Sequence, residues 1–196
     1  MGLKEKCLIN CYNEYMDEFL GREIVLGCGN ADTSLLLIGE APGRDEVRLS
    51  KPFVGKAGKQ LDEFLEQLGV EKNSIYITNA IKFRLSKTDP KTGRMSNRPA
   101  TRDEINQNRR YLLKEIDIIR PTYIVTLGNV PLKAATGNFG INIGSLHGET
   151  SDLNILDRNY KLFALYHPAS IIYNRSLMDI YINDLKKLKC LICEGK

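Results

Sequence analysis

The sequence predicts an α/β fold, a three-layer α/β/α arrangement around a central, mainly parallel four-stranded sheet. Two observations carry that prediction. Residues 35–38, 75–78, 123–127 and 162–165 form short runs of aliphatic or β-branched side chains that end at polar or Gly positions, as strands buried on both faces do. Segments of helical periodicity separate these runs, and strands alternating with helices at this spacing build parallel sheets covered on both sides.

Taken in order, residues 3–19 read as an opening helix. Residues 58–68 set Leu61, Phe64, Leu65 and Leu68 on one stripe, and Gly69 supplies the stop. Thr101-Arg-Asp-Glu104 is a capping box that starts a helix with Ile105, Leu112, Ile116 and Ile119 on its apolar face. Arg120-Pro121 ends it, because the residue before proline is driven out of the helical region. Residues 176–192 read as a closing helix. The polar stretch 85–99, rich in Lys, Thr, Pro, Gly and Ser, is expected to be a long surface loop. With no internal repeat or linker, residues 1–196 are expected to form one domain.

Composition excludes several classes. Hydrophobic residues are 42% of the 196 and charged residues 27%, and no apolar run could span a bilayer. Met1-Gly-Leu-Lys-Glu-Lys6 has no apolar core or cleavage site, so a cytoplasmic location is expected and no membrane partner. The formal charge is +4, and its distribution is uneven: residues 82–110 hold nine Lys or Arg against three acids. Such a segment could neutralise phosphates or simply form a charged surface. The five cysteines, at 7, 11, 28, 190 and 193, are odd in number, which argues against a disulfide framework. Cys190-Leu-Ile-Cys193 has the spacing of a redox or metal pair without the strand-then-helix setting, and is read as structural.

Ligands of open parallel sheets bind outside the carboxyl ends of the strands. Here those ends carry the polar residues. The first strand runs into Gly39-Glu40-Ala41-Pro42-Gly43, with Glu46 beyond; the second ends at Asn79; the third gives Gly128-Asn129; the fourth gives His167-Pro168. A carboxylate, an amide and an imidazole are thereby brought to one edge. Each alone has a plain structural explanation, in a turn, a cap or a hydrogen-bonded core histidine.

Together, and in this order, the motifs resemble those of the family 4, iron–sulfur type uracil-DNA glycosylases. The first motif is Gly39-Glu-Ala-Pro-Gly43 with Glu46 and Pro52-Phe-Val-Gly55-Lys-Ala-Gly58. Thr78-Asn79 with Lys82 and Asn97-Arg98-Pro99 are similar to the second region, and His167-Pro168 to the last. The resemblance implies hydrolysis of the bond between uracil and deoxyribose in uracil-containing DNA, after the base has left the stack. It implies that Phe53 stacks on the base, with core packing as its alternative role. Asn79 would read the uracil edge, since an amide donates and accepts at once and cytosine shows the opposite pattern. His167 would stabilise charge developing at O2. Glu46 would activate water and Glu40 support the uracil, while main-chain amides of Ala41 and Gly43 complete the pocket. Lys82, Arg98 and Arg175 would contact DNA. Ser170 and Ile171 would enter the gap left by the base, unless Ile171 and Ile172 instead face the core. A monomer is expected.

One departure is large. The family holds a [4Fe–4S] cluster with four cysteines, but the two positions flanking the basic loop carry Phe83 and Asn108. Only Cys7 and Cys11 remain as remnants, one residue further apart than Cys-x-x-Cys. The expectation is that no cofactor is bound and that Phe83 with apolar neighbours fills the vacated site, leaving the basic loop more mobile. A cluster rebuilt from displaced cysteines is the alternative. Ala169 and Tyr173 stand where the family has Ser and Arg. Rival readings are a glycosylase for another deaminated base, a silent nucleic-acid-binding homologue, and a small-molecule hydrolase. The last would call for a phosphate-cradling glycine loop, and the sequence has none.

Overall fold

The computed structural model describes residues 2–194. Of the single domain expected over 1–196, Met1, Gly195 and Lys196 therefore lie outside the described residues. Among the described residues, eight strands are formed: β1 (Cys28–Gly29), β2 (Leu35–Gly39), β3 (Tyr76–Asn79), β4 (Ser86–Thr88), β5 (Met95–Asn97), β6 (Tyr123–Leu127), β7 (Thr150–Ile155) and β8 (Arg158–Leu165). The α-helices are α1 (Leu3–Glu18), α2 (Arg44–Leu49), α3 (Lys56–Leu68), α4 (Arg102–Ile119), α5 (Asn129–Thr136), α6 (Pro168–Tyr173) and α7 (Met178–Glu194).

The main sheet has the order β1-β3-β2-β6-β8-β7. Its inner four strands are parallel and correspond to the four runs expected from sequence. The sheet is wider than expected, because β1 and β7 pair antiparallel on its two edges. Side chains alternate between the faces as a pleated strand requires. Leu36, Ile38, Ile124 and Leu162 pack with buried residues of α1, α4 and α5. Leu35, Leu37, Val125 and Phe163 pack with those of α3, α6 and α7. Both faces are thus covered, and this is why the inner strands read as unbroken apolar runs.

The capping box of α4 is present: Thr101 Oγ1 accepts from the Glu104 amide at 3.3 Å and Glu104 Oε2 accepts from the Thr101 amide at 2.9 Å. The stretch expected to be a long loop is instead a hairpin of β4 and β5. Its turn is held by Asp89 Oδ1, which accepts from the amides of Lys91 (2.8 Å) and Thr92 (3.0 Å), and Gly93 takes the left-handed conformation. Strands β7 and β8 are joined by Leu156 and Asp157, both at positive φ, as a two-residue hairpin turn demands.

From β2 the chain crosses to β3 on one side; from β6 it goes on to β8 on the other. The loops leaving β2 and β6 diverge, and a crevice opens at their carboxyl ends. Among the described residues no helix is long and apolar enough to cross a membrane.

Candidate active site

The crevice is a cleft of ≈ 600 Å³. Ala41, Gly43, Glu46, Phe53, Asn79 and His167 all line it, so five of the elements that the sequence separates converge there. Glu40 lines an adjoining lobe of ≈ 390 Å³ that shares Ala41 and His167 with the main cleft.

The floor is set by what two glycines lack. A Cβ on Gly39 would lie 2.5 Å from Phe53 Cζ and closer still to Asn79 Oδ1. Only a hydrogen at this position lets the carboxamide and the phenyl ring approach the end of β2 together. A Cβ on Gly58 would overlap the Phe53 carbonyl. Phe53 itself has φ 53°, left-handed and costly for an aromatic residue. Its carbonyl accepts from Lys72 Nζ at 3.0 Å, and the buried ring faces that of His167 with centroids 6.2 Å apart and planes at 29°.

Glu46 holds the two halves of this loop together. Its carboxylate accepts from the amides of Gly43 (3.1 Å), Val54 (3.0 Å) and Gly55 (2.7 Å). A carboxylate has about four acceptor positions, so about one is left for a ligand. The Gly43 amide is committed to Glu46, while Gly43 itself lines the cleft. Glu40 accepts from the Ala100 amide at 3.1 Å, and burial raises its pKa above the usual carboxylate range.

His167 is the N-cap of α6, with Pro168 at the first helical position. Its Nδ1 accepts from the Ala169 amide at 3.1 Å, which leaves the ring proton on Nε2. Burial pushes its pKa down to about 4, against the pull of the Glu46 carboxylate. The imidazole is therefore neutral near pH 7 and still a donor. Gly128, at the end of β6, makes room for it: a Cβ there would sit 3.2 Å from His167 Cβ.

Two expectations are corrected. Lys82 is 1% exposed and its ammonium pairs with Glu115 at 2.7 Å, so it cannot touch DNA. Ile171 is 1% exposed and packs in the core beneath α6; the residues its helix presents outward are Ile172 and Tyr173, at 40% and 88% exposure. Arg98 engages Glu104 through both guanidinium nitrogens, at 2.9 and 2.6 Å, and holds the Glu104 carboxyl down at about 2. Ser170 is half-buried in α6, and Arg175 is exposed beside Ile172 at a side cavity. Sequence reasoning missed Arg44, Lys56, Arg84, Arg94 and Asn97, which line the cleft. The basic bias of residues 82–110 signalled Arg84 and Arg94 but could not single them out.

Comparison with known proteins gives the family. The family model described as the uracil DNA glycosylase superfamily matches residues 26–189. The chain belongs to the uracil-DNA glycosylase superfamily. It is 34% identical over 167 residues to the type-4 uracil-DNA glycosylase of Archaeoglobus fulgidus, covering 84% of this chain and 79% of that one. Identity is 35% over 176 residues to the type-4 enzyme of Sulfurisphaera tokodaii (88% and 76% covered) and 33% over 171 residues to that of Thermotoga maritima (86% and 83%).

The residues do not fit the iron–sulfur cluster that the type-4 resemblance implies. Phe83 is buried, 5.2 Å from the Phe19 ring and 5.0 Å from the Arg22 guanidinium carbon. Asn108 is spent on hydrogen bonds: Oδ1 accepts from the Tyr15 hydroxyl, and Nδ2 donates to the Glu104 carbonyl at 2.8 Å. Cys11 is buried, its thiol pushed up to about 11 by desolvation, while Cys7 is exposed. Among the described residues no three His, Cys, Asp or Glu side chains are grouped to hold a metal. A phenyl ring and an engaged amide offer iron no thiolate.

The His167 shift has a stability consequence. Its folded pKa, about 4, lies below the ordinary 6.5, so the unfolded chain takes up the proton first as pH falls. The stabilisation is complete above pH 6.5 and is lost as pH drops through 4, a change of about 3 kcal/mol at most. Urea unfolding of wild type and His167→Asn across that window is expected to show the wild type losing more stability. Parallel curves would contradict a buried neutral imidazole.

Proposed function

We propose that this protein hydrolyses the N-glycosidic bond of uracil in DNA and leaves an abasic site, acting as a single-domain monomer in the cytoplasm. The observation that supports this best is the meeting of the Asn79 carboxamide, the neutral His167 imidazole and the Phe53 ring in one cleft. A flipped base is read there by its edge. Asn79 accepts from uracil N3–H and donates to O4; cytosine, with an acceptor and a donor at those positions, is refused. Phe53 carries the ring face.

As the glycosidic bond lengthens, charge builds on uracil O2. His167 Nε2–H donates to it, and a neutral donor in a site shielded from water needs no proton transfer to stabilise the leaving anion. On the sugar side the cation is faced by carboxylate. Glu46, with an acceptor position remaining, orients the attacking water, and Glu40 supports the base from the adjoining lobe. Arg44, Lys56, Arg84 and Arg94 hold the phosphates flanking the flipped nucleotide. Arg98 and Arg175 lie further out along the same strand, with the Ala41 backbone and Ser170 at the pocket edge. The wedge that fills the vacated stack is Tyr173 with Ile172, in place of Ile171.

The test is alkali cleavage of labelled oligonucleotides containing one uracil, thymine or hypoxanthine. Wild type is expected to cut at uracil alone, and His167→Ala to be slower by about 10²–10³. Asn79→Asp, which loses the donor to O4, is expected to lose the uracil preference. Retained DNA binding with no cleavage at any base would overturn the enzyme reading. Hypoxanthine cleavage would replace the substrate.

Wedging matters only where a partner strand must be parted. Tyr173→Ala is therefore expected to slow uracil excision from duplex more than from single-stranded DNA, in matched single-turnover assays. Equal slowing of both would move the wedge elsewhere.

A further inference from the structure

Behind the cleft, and outside the chemistry above, lies an ion pair with no access to solvent. Lys82 is 1% exposed and Glu115 0%. The ammonium has three protons and three acceptors: Glu115 Oε2 at 2.7 Å, the Asn79 carbonyl at 3.1 Å and Thr78 Oγ1 at 3.2 Å. Glu115 in turn accepts from Thr78 Oγ1 at 3.0 Å and from the Tyr12 hydroxyl, which lies 2.7 Å from that of Tyr76. Gly27 leaves the space, since a Cβ there would come within 2.6 Å of Glu115 Oε1.

Such a pair is a poor source of stability, because desolvating two charges offsets most of their attraction. Its contacts point to geometry instead. Asn79 closes β3, and the segment after it is tied on every side. The amides of Ala80 and Ile81 donate to the carbonyls of Gly39 (2.8 Å) and Glu40 (3.0 Å). The Lys82 amide donates to the Tyr15 hydroxyl at 3.0 Å, and Tyr15 donates to Asn108. The peptide plane that follows Asn79 is held from both edges, its Ala80 amide by the Gly39 carbonyl and its Asn79 carbonyl by the ammonium.

We propose that Lys82, anchored on Glu115 of α4, is a positioning residue for base recognition that fixes the main chain of Asn79 so its carboxamide meets the base at one angle. This rests on the reading that Asn79 recognises uracil. Lys82 touches no DNA and acts only through Asn79. The cleft liners govern contact with the substrate, and the pair behind them governs the tolerance of the pocket.

A double-mutant cycle tests it. Single-turnover excision rates on a uracil oligonucleotide are measured for wild type, Lys82→Met, Asn79→Ala and the double variant, at a temperature where thermal melts show all four folded. Lys82→Met/Glu115→Gln removes both charges while keeping their shapes, and carries the cycle should the single variant fail to fold. Leu112→Ala, a cavity in the same helix as Glu115, is the stability control and is expected to lower the melting temperature without changing the rate.

Lys82→Met is expected to slow excision by about ten- to a hundredfold while oligonucleotide affinity holds. In the Asn79→Ala background the same change is expected to alter the rate by less than about twofold. Rates that multiply independently, or a folded Lys82→Met protein within about twofold of wild type, would overturn the assignment. A wild type that leaves uracil in place would overturn the glycosylase reading and this inference with it.

Discussion

The site depends on the missing side chain at Gly39. At the end of the central strand, an approach closer than any Cβ allows brings Asn79 from the neighbouring strand against Phe53 from the following loop. Everything that defines the cleft is arranged around that contact. Phe53 accepts a left-handed backbone, Gly58 leaves room for its carbonyl, and Glu46 binds the two halves of the loop through three amides. Gly128 repeats the device one strand further on, where it admits His167. The strained backbone persists because the surrounding hydrogen bonds over-determine it.

Where the type-4 pattern would place thiolates, large side chains and an engaged amide stand instead. Phe19, Phe83 and Tyr111 pack between α1, α4 and the start of the hairpin; the Tyr15 ring packs on Phe19 and Tyr111, and its hydroxyl donates to Asn108. That cluster lies next to the Lys82–Glu115 pair and shares Tyr15 with it. Aromatic packing and a buried polar network here link α1 and α4 to the loop after β3. Fully satisfied networks of this kind rigidify the groups they hold.

Much of the fold was legible because burial leaves a plain mark. β6 begins and ends at the residues expected, since a strand covered on both faces is apolar throughout. β7 was not seen: it alternates burial along an edge, and its turn uses Leu156-Asp157 in place of the glycine that usually announces one. The hairpin of β4 and β5 is polar on both faces and carries no periodicity to read. Motif order grouped Asn79, Phe53, His167 and both carboxylates, which line the cleft or its adjoining lobe, but Lys82 was misplaced. A lysine in a basic stretch reads as surface. The contrary signal was there: Ala80, Ile81 and Phe83 surround it with apolar residues, and Glu115 interrupts the apolar stripe of α4 between Leu112 and Ile116. A carboxylate on a buried stripe calls for a buried cation. Ile171 was misplaced because exposure along a six-residue helix cannot be phased from so short a run.

On the proposed reading, the Asn79 carboxamide and the His167 imidazole together select uracil. The most direct test is titration of ¹⁵N-labelled protein with free uracil and, separately, with cytosine, followed by NMR. Selective shifts of the Asn79 side-chain amide and the His167 ring nitrogens with uracil, and none with cytosine, are the result expected. Equal responses to both bases, or shifts centred away from these two residues, would contradict it.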